Sequence, residues 1–254
     1  MSARRIVLTY HAIEVGRSPL CIEPSLFRRH LETIAEVGAR VVSLDRLAAE
    51  LRSGRPAEPT VAITFDDGAA SVAHNAAPLL AERRFPATIF CVAAHLGGRT
   101  DCVSEPPSLP RMRLAGPSAL AELARNGFEL GSHGMTHVPL ARAEGPSLER
   151  EVVDSKDALE QATGAAVRWF AYPYGSVPRD RALVERTYAG AAAGGNRAAT
   201  AGADPWAIPR IDAHYLRRVA LLARALQGAD GYLALRRAGA RTRRLVRLDY
   251  VGKP

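Results

Sequence analysis

The stretch Val61-Ala62-Ile63-Thr64-Phe65-Asp66-Asp67-Gly68 joins an apolar segment to two acidic residues and a glycine. Residues 61–65 are rich in strand-forming side chains, so both carboxylates fall where a buried strand ends. Neighbouring side chains of a strand point to opposite faces, but Gly68 permits a turn that aims both carboxylates into one pocket. One carboxylate on a metal ion and one free as a base is sensible chemistry. On spacing alone, a solvated Asp-Asp-Gly turn explains these residues equally well.

Short apolar segments alternate with helical patterns along the rest of the chain, which favours α/β architecture. A helix is predicted from Pro24 to Gly38 and another over about residues 148–161. The other predicted strands are Arg5–Tyr10 and residues 41–44, 88–92, 128–130, 169–171 and 245–250, the last as a closing strand. Repeated strand–helix units predict a parallel barrel, which places its chemistry at the carboxyl ends of the strands.

The composition is that of a globular protein. The chain has 254 residues, 47% hydrophobic and 24% charged, which excludes a disordered or fibrous chain. No repeat or low-complexity linker divides it, so we predict one domain over residues 1–254, with residues 215–254 as an Arg-rich helical extension and closing strand. The net charge of +8 could attract phosphates, anionic lipid or acidic glycans, but it fixes no fold.

The amino-terminal segment and the cysteines indicate the cellular compartment of the protein. The apolar run at residues 6–8 is too short for a signal-peptide core, and no stretch approaches the ~20 apolar residues of a membrane span. Three cysteines without a C-x-x-C pair argue against a disulfide framework. These features predict a cytoplasmic, soluble protein, although a chain trimmed of its leader would look the same.

Two further strand ends carry polar or turn residues. His133 and His137, in Gly131-Ser132-His133-Gly134-Met135-Thr136-His137, are spaced to share one face of a helical turn and to chelate one ion. A pair of surface histidines is the alternative interpretation. Phe170-Ala171-Tyr172-Pro173-Tyr174-Gly175 is an apolar strand that runs into a turn, where backbone N–H groups can face an oxyanion. By itself this segment is an ordinary strand end.

Together and in this order, T-F-D-D-G, S-H-x-x-x-H and a strand ending in P-Y-G resemble the polysaccharide deacetylase family (carbohydrate esterase family 4). The resemblance covers about residues 6–211 and implies a single distorted (β/α)7–8 barrel. It implies that Asp66 is the general base, and that one divalent ion is bound by Asp67, His133 and His137. Zinc is the first expectation, with cobalt, iron or nickel as alternatives, because such sites discriminate little between them. The backbone N–H of Tyr174 is implied to help hold the oxyanion.

The chain departs from the family pattern at two places. Ala171 stands where many members have an arginine that pairs with the catalytic aspartate, and F-A-Y-P-Y-G resembles the branch with the poly-N-acetylglucosamine deacetylases. We expect Arg210 to replace that arginine, since a guanidinium beside Asp66 would keep the carboxylate ionised. Arg168 competes for this role but lies at the start of its strand. A solvated surface arginine is the alternative for either.

The second departure concerns the general acid. Many relatives carry a histidine after a leucine-rich strand near the carboxyl terminus, and residues 245–250 lack it. Because the strand order of a closed barrel can begin anywhere, the Y-H after the first strand resembles a permuted arrangement and makes His11 the expected acid. His214 is the runner-up, and an ordinary strand-end histidine is the alternative. Trp206 is expected to form an apolar wall or to stack on a sugar, with a core tryptophan as the equal alternative.

The resemblance implies a metal-dependent hydrolase that removes the N-acetyl group from an acetylated amino sugar. One alternative is a non-catalytic glycan- or membrane-binding module, since residues 215–254 hold nine arginines against Asp230 and Asp249. A helix packed on the barrel with its arginines in water fits the same pattern. An amidase for a non-sugar substrate is a further alternative, and no nucleic-acid partner is expected. The oligomeric state cannot be read from the sequence.

Overall fold

The computed structural model describes residues 4–16, 18–54, 58–100, 111–229 and 231–246. Its strands are β1 (Arg5–Tyr10), β2 (Ala12–Ile13), β3 (Cys21–Ile22), β4 (Arg40–Val41), β5 (Thr60–Phe65), β6 (Ala87–Cys91), β7 (Glu129–Ser132), β8 (Val167–Ala171), β9 (Gly190–Ala193), β10 (Ile208–Pro209) and β11 (Ile211–Asp212). Its α-helices are α1 (Pro24–Glu36), α2 (Leu44–Ser53), α3 (Ala77–Glu82), α4 (Pro117–Arg125), α5 (Gly145–Glu149), α6 (Ser155–Thr163), α7 (Ala182–Thr187), α8 (Val219–Leu226) and α9 (Gly231–Val246). Two π-helical segments, Val72–Ala76 and Arg150–Asp154, lie directly before α3 and α6.

The main sheet is parallel and curves into a nearly closed barrel, which confirms the predicted fold. Its strand order is β10-β9-β8-β7-β6-β5-β1-β11, with β4 beside β5. The two ends of this order are consecutive in the chain, because β10 pairs with β9 and β11 pairs with β1. The segment 208–212 therefore touches both edges of the sheet, and Arg210 lies between its two halves.

Strands β1 and β5 are buried, and their aromatic residues pack against helix α1. Every residue of both strands is buried, as expected for parallel strands covered on both faces. Tyr10, Phe27 and Phe65 pack together, with ring centroids 5.0 to 5.8 Å apart. The predicted helix from Pro24 is confirmed as α1, and Gly38, at φ 72°, follows its end.

Two predicted strands need correction. The strand expected at residues 41–44 is shorter, because the Ser43 side chain accepts a hydrogen bond from the Arg46 N–H and begins α2. The closing strand expected at residues 245–250 is wrong at its start, since Leu245 and Val246 end α9. Arginine, alanine and leucine favour a helix there, and residues 208–212 occupy the closing position. Residues 247–250 lie outside the described part of the chain.

Among the described residues after β11, a 3-10 turn (Ala213–Leu216) is followed by α8 and α9. None of the helices in the described ranges combines the length and apolar character needed to cross a membrane. The assignment of all 254 residues to one domain stays a prediction.

Candidate active site

The chemistry-bearing residues meet at the carboxyl ends of the barrel strands. A cavity of about 350 Å³ lies there, lined by Thr9, His11, Leu20, Asp66, Asp67, His133, His137, Tyr172, Tyr174, Gly175, Gly194, Gly195, Asn196, Arg210, Asp212 and Tyr215. Most of the residues expected from the sequence to form the site are therefore brought together.

Both carboxylates of the Asp66-Asp67 pair enter this cavity because the backbone turns sharply after β5. Asp67 adopts the left-handed conformation at φ 66°, followed by Gly68 at φ 76°, which breaks the alternation of the strand. A side chain at Gly68 would begin 3.1 Å from the Cys91 sulfur. A left-handed non-glycine residue is strained, and such strain persists where the surrounding structure fixes it.

Asp67, His133 and His137 form a group that fits a metal ion. Asp67 Oδ1 lies 3.5 Å from His137 Nε2 and 3.7 Å from His133 Nε2, and one ligand atom from each residue lies within 4.8 Å of the others. Asp67 Oδ1 is buried without a hydrogen-bond partner in the described residues, so its lone pairs are available. Burial lowers the pKa of each histidine to about 4, which keeps both rings neutral, as ligands must be.

The tautomer of His133 is set by the neighbouring strand. Its Nδ1 lies 2.8 Å from the carbonyl oxygen of Ala171, so this nitrogen donates and Nε2 presents its lone pair towards Asp67. Ala171, which stands where many family members have an arginine, thus contributes a backbone acceptor to His133.

The predicted helical turn across the two histidines is wrong, although the histidines do converge. Residues 133–137 form a loop in which Gly134 has φ 83° and His137 has φ 58°. Left-handed residues cannot continue a right-handed helix. The His137 ring packs against Tyr174, with centroids 4.7 Å apart.

Asp66 is held by Arg210, as expected. The guanidinium donates from Nη1 to Oδ1 at 2.6 Å and from Nη2 to Oδ2 at 2.8 Å, and both side chains are buried. Burial raises the pKa of Asp66, but Arg210 and then His133 lower it more strongly, so the pKa lies well below its usual range. The competitor Arg168 is exposed and lies 3.5 Å from Asp45, near the amino end of β8.

His11 lines the cavity beside both aspartates. Burial lowers its pKa, but the carboxylates of Asp67, Asp212 and Asp66 together raise the pKa above its ordinary value of 6.5. The runner-up His214 does not line the cavity; its ring packs on Tyr215, with centroids 5.3 Å apart.

Trp206 does not line this cavity, which favours the equal alternative of a core tryptophan over contact with substrate. It is half-buried against the core, and its indole N–H donates to the Tyr188 carbonyl at 3.4 Å. The physical reason is its position: Trp206 precedes β10, whereas the site residues follow the strands that carry them.

Asp212 and Asn196 are among the cavity residues that sequence reasoning missed. The Asn196 N–H donates to the Arg210 carbonyl at 2.8 Å, and the Asp212 N–H donates to Asn196 Oδ1 at 3.1 Å. Arg237 of α9 donates to the Asn196 carbonyl at 2.7 Å, and the Arg236 guanidinium lies 4.6 Å from the ring centroid of the cavity residue Tyr215. The sequence offered one signal for Asn196, its position after Gly194 and Gly195. Asparagine tolerates the left-handed backbone conformation, and Asn196 adopts it with φ 48°.

Comparison with known proteins identifies relatives of this chain. A family model for polysaccharide deacetylases matches residues 53–191. The chitooligosaccharide deacetylase of Sinorhizobium fredii is 33% identical over 67% of this chain and 70% of that protein. The poly-beta-1,6-N-acetyl-D-glucosamine N-deacetylase of Staphylococcus aureus is 23% identical over 75% of this chain and 67% of that protein. The YxkH protein of Bacillus subtilis is 25% identical, and the chain spans 57% of its length. Among solved structures, IcaB from Ammonifex degensii has a TM-score of 0.71 at 23% identity, covering 89% of this chain and 99% of that one.

Proposed function

The chain belongs to the polysaccharide deacetylase family, and from this premise we propose that it is a metal-dependent hydrolase that removes N-acetyl groups from acetylated amino sugars. The observation that carries the proposal is the different state of two adjacent carboxylates. Both oxygens of Asp66 are engaged by Arg210, whereas Asp67 Oδ1 has no hydrogen-bond partner in the described residues and faces two neutral histidines. This difference supports Asp67 as a ligand and Asp66 as the base.

A divalent ion held by Asp67, His133 and His137 would polarise the acetyl carbonyl and lower the pKa of water. Asp66, ionised beside Arg210, takes the proton of the attacking water. The backbone N–H of Tyr174 donates to the oxyanion of the tetrahedral intermediate. His11 gives a proton to the departing nitrogen, because without that proton the nitrogen would have to leave as an amide anion, which is a very poor leaving group.

The relatives support an amino-sugar substrate. One acts on chitooligosaccharides and another on poly-beta-1,6-N-acetyl-D-glucosamine, according to their names. Tyr174 lines the cavity and is 48% exposed, so the cavity reaches the protein surface, where one sugar unit of a longer glycan could enter. Zinc as the metal and a cytoplasmic location stay predictions.

The test is acetate release from N-acetylglucosamine oligomers by metal-stripped protein, before and after addition of zinc. We expect stripped protein to be inactive and zinc to restore turnover, while His133→Ala stays inactive with zinc present. Acetate release that survives chelation would contradict the metal-dependent mechanism.

The alternatives give different results in the same assays. A non-catalytic glycan-binding module would bind the oligomers and release no acetate under any metal condition. An amidase for another substrate would cleave N-acetylated amines that lack a sugar. Contact with a membrane through α9 predicts binding to anionic liposomes that falls steeply with salt; Leu235, 75% exposed on this helix, is the observation that keeps this hypothesis open.

A further inference from the structure

The loop between the two histidine ligands has its carbonyl groups at Gly134 and Met135 bound by the N–H groups of Ala93 and Ala94, at 3.1 and 2.9 Å. Its N–H groups are bound by one buried carboxylate outside the cavity. Glu151, 3% exposed, accepts hydrogen bonds at Oε2 from the N–H groups of Met135 at 2.8 Å and Thr136 at 3.0 Å. The Thr136 hydroxyl donates to Oε1 at 2.5 Å. All hydrogen bonds that the described residues make to this carboxylate therefore come from the segment between His133 and His137.

Local structure on both sides fixes Glu151 in this place. It lies in the π-helical segment Arg150–Asp154, and such irregular turns are frequent at functional sites. The Ser155 hydroxyl donates to the Glu151 carbonyl at 2.7 Å and lies 2.8 Å from the Ser132 hydroxyl. The Ser132 oxygen in turn accepts the Gly134 N–H at 3.1 Å. The start of the loop and the turn that carries Glu151 are thus joined.

Gly134 has no side chain and therefore leaves space for the Glu151 carboxylate. It adopts φ 83°, and a Cβ at this position would lie 2.8 Å from Glu151 Oε2. His137, at φ 58°, holds a strained conformation that needs support from its surroundings. The carboxylate supplies that support one residue away, at Thr136.

We propose that Glu151 is a positioning residue of the metal centre, whose carboxylate holds the 134–136 loop so that His133 and His137 face Asp67 together. This inference rests on the metal centre of the proposed function, but it does not depend on the substrate. Groups that orient metal ligands typically change metal affinity by about 10–100-fold when they are lost. We expect the same order here, because the loop has no other buried acceptor for these three donors among the described residues.

The experiment is titration of metal-stripped protein with Zn²⁺, which gives a Kd for each variant independently of activity. Glu151→Met removes the acceptors at similar side-chain length and is expected to raise the Kd about 10–100-fold. Glu151→Gln is expected to stay within a few-fold of wild type, because its amide oxygen still accepts both N–H groups and its NH₂ can donate to the Thr136 hydroxyl. Co²⁺ absorption reports the ligand geometry, and its bands should change in Glu151→Met and not in Glu151→Gln.

Glu50→Met is the matched control. Glu50 of α2 is a buried carboxylate away from the cavity, and it pairs with Arg40 of β4 and Arg46 of α2. Its loss should lower the Tm and leave the Zn²⁺ Kd unchanged. A wild-type Kd in Glu151→Met, or an equal rise in Glu50→Met, overturns the proposal. If Glu151→Met does not fold, Glu151→Asp decides, because its shorter carboxylate must raise the Kd. Wild-type protein that binds no Zn²⁺ instead overturns the metal centre itself.

Discussion

Arg210 donates from both terminal nitrogens to the two carboxylate oxygens of Asp66, at 2.6 and 2.8 Å. Arg210 lies in the segment that touches both edges of the sheet, since Ile208 pairs with Ala192 of β9 and Ile211 pairs with Leu8 of β1. The ion pair therefore lies at the seam where the two edges of the sheet meet. Closure of the fold and orientation of the base depend on the same five residues, 208–212.

Replacement of this arginine should move the pH dependence of catalysis. Arg210→Lys keeps the positive charge but loses the two-point contact with Asp66. The cation then offsets the effect of burial less completely, so the pKa of Asp66 rises. The base must be ionised, and the acid limb of the kcat/KM profile should therefore shift to higher pH. We expect kcat/KM to fall about 100-fold near neutrality. The exposed Arg168→Lys, at the other end of the barrel, should leave both quantities unchanged.

Replacement of the two adjacent aspartates should have different effects on metal binding. Asp66→Asn should lower kcat by about 10²–10⁴-fold and retain the metal, because its oxygens face Arg210. Asp67→Asn should lose the metal, since Asp67 Oδ1 faces both imidazoles. Elemental analysis of the purified variants measures the metal directly. Loss of metal from Asp66→Asn would reverse the assignment of the two carboxylates.

The site was more predictable from the sequence than the way in which the barrel closes. Asp66, Asp67, His133 and His137 lie in short contiguous motifs directly after strands, so their chemistry could be read locally. The missed strand Gly190–Ala193 consists of small residues without a strand preference, and β10 and β11 have two residues each. The helical turn expected at residues 133–137 is wrong for a reason outside that motif, because Glu151, 15 residues beyond Thr136, accepts hydrogen bonds from the loop in another conformation.

The role of His11 should depend on the leaving group. His11→Gln should slow release of acetate from an N-acetyl sugar by about 10²–10⁴-fold, since the departing amine must be protonated. Hydrolysis of an acetyl ester with a phenolate leaving group should fall much less, because that group leaves without a proton. His214→Gln should change neither rate, since His214 does not line the cavity. Equal loss on both substrates in His11→Gln would contradict its role as an acid.

The basic limb of the wild-type kcat/KM profile should depend on Asp212. In the metal-free protein the carboxylates of Asp67, Asp212 and Asp66 outweigh burial and raise the pKa of His11, and a metal ion on Asp67 would offset the share of that residue. A general acid must be protonated, so activity should fall as pH rises through the pKa of His11. Replacement of Asp212 by asparagine removes one of these charges and should move the basic limb of the kcat/KM profile to lower pH. An unmoved basic limb in Asp212→Asn would show that another group controls it.

His30 should make the metal-free protein less stable in mild acid. Its ring is fully buried, Nδ1 lies 3.0 Å from the Tyr10 hydroxyl, and burial lowers its pKa from 6.5 to about 4. Between these two values the unfolded chain binds a proton that the folded protein does not, so the free energy of unfolding falls as the pH falls from 6.5 towards 4. The full loss is about 3 kcal/mol. Urea unfolding at pH 7 and pH 4.5 should show a smaller decrease for His30→Gln than for wild type, because His133 and His137 still contribute in both proteins. The exposed His74→Gln should keep the wild-type decrease, and a decrease of equal size in His30→Gln would show that this buried ring is not a source of the acid sensitivity.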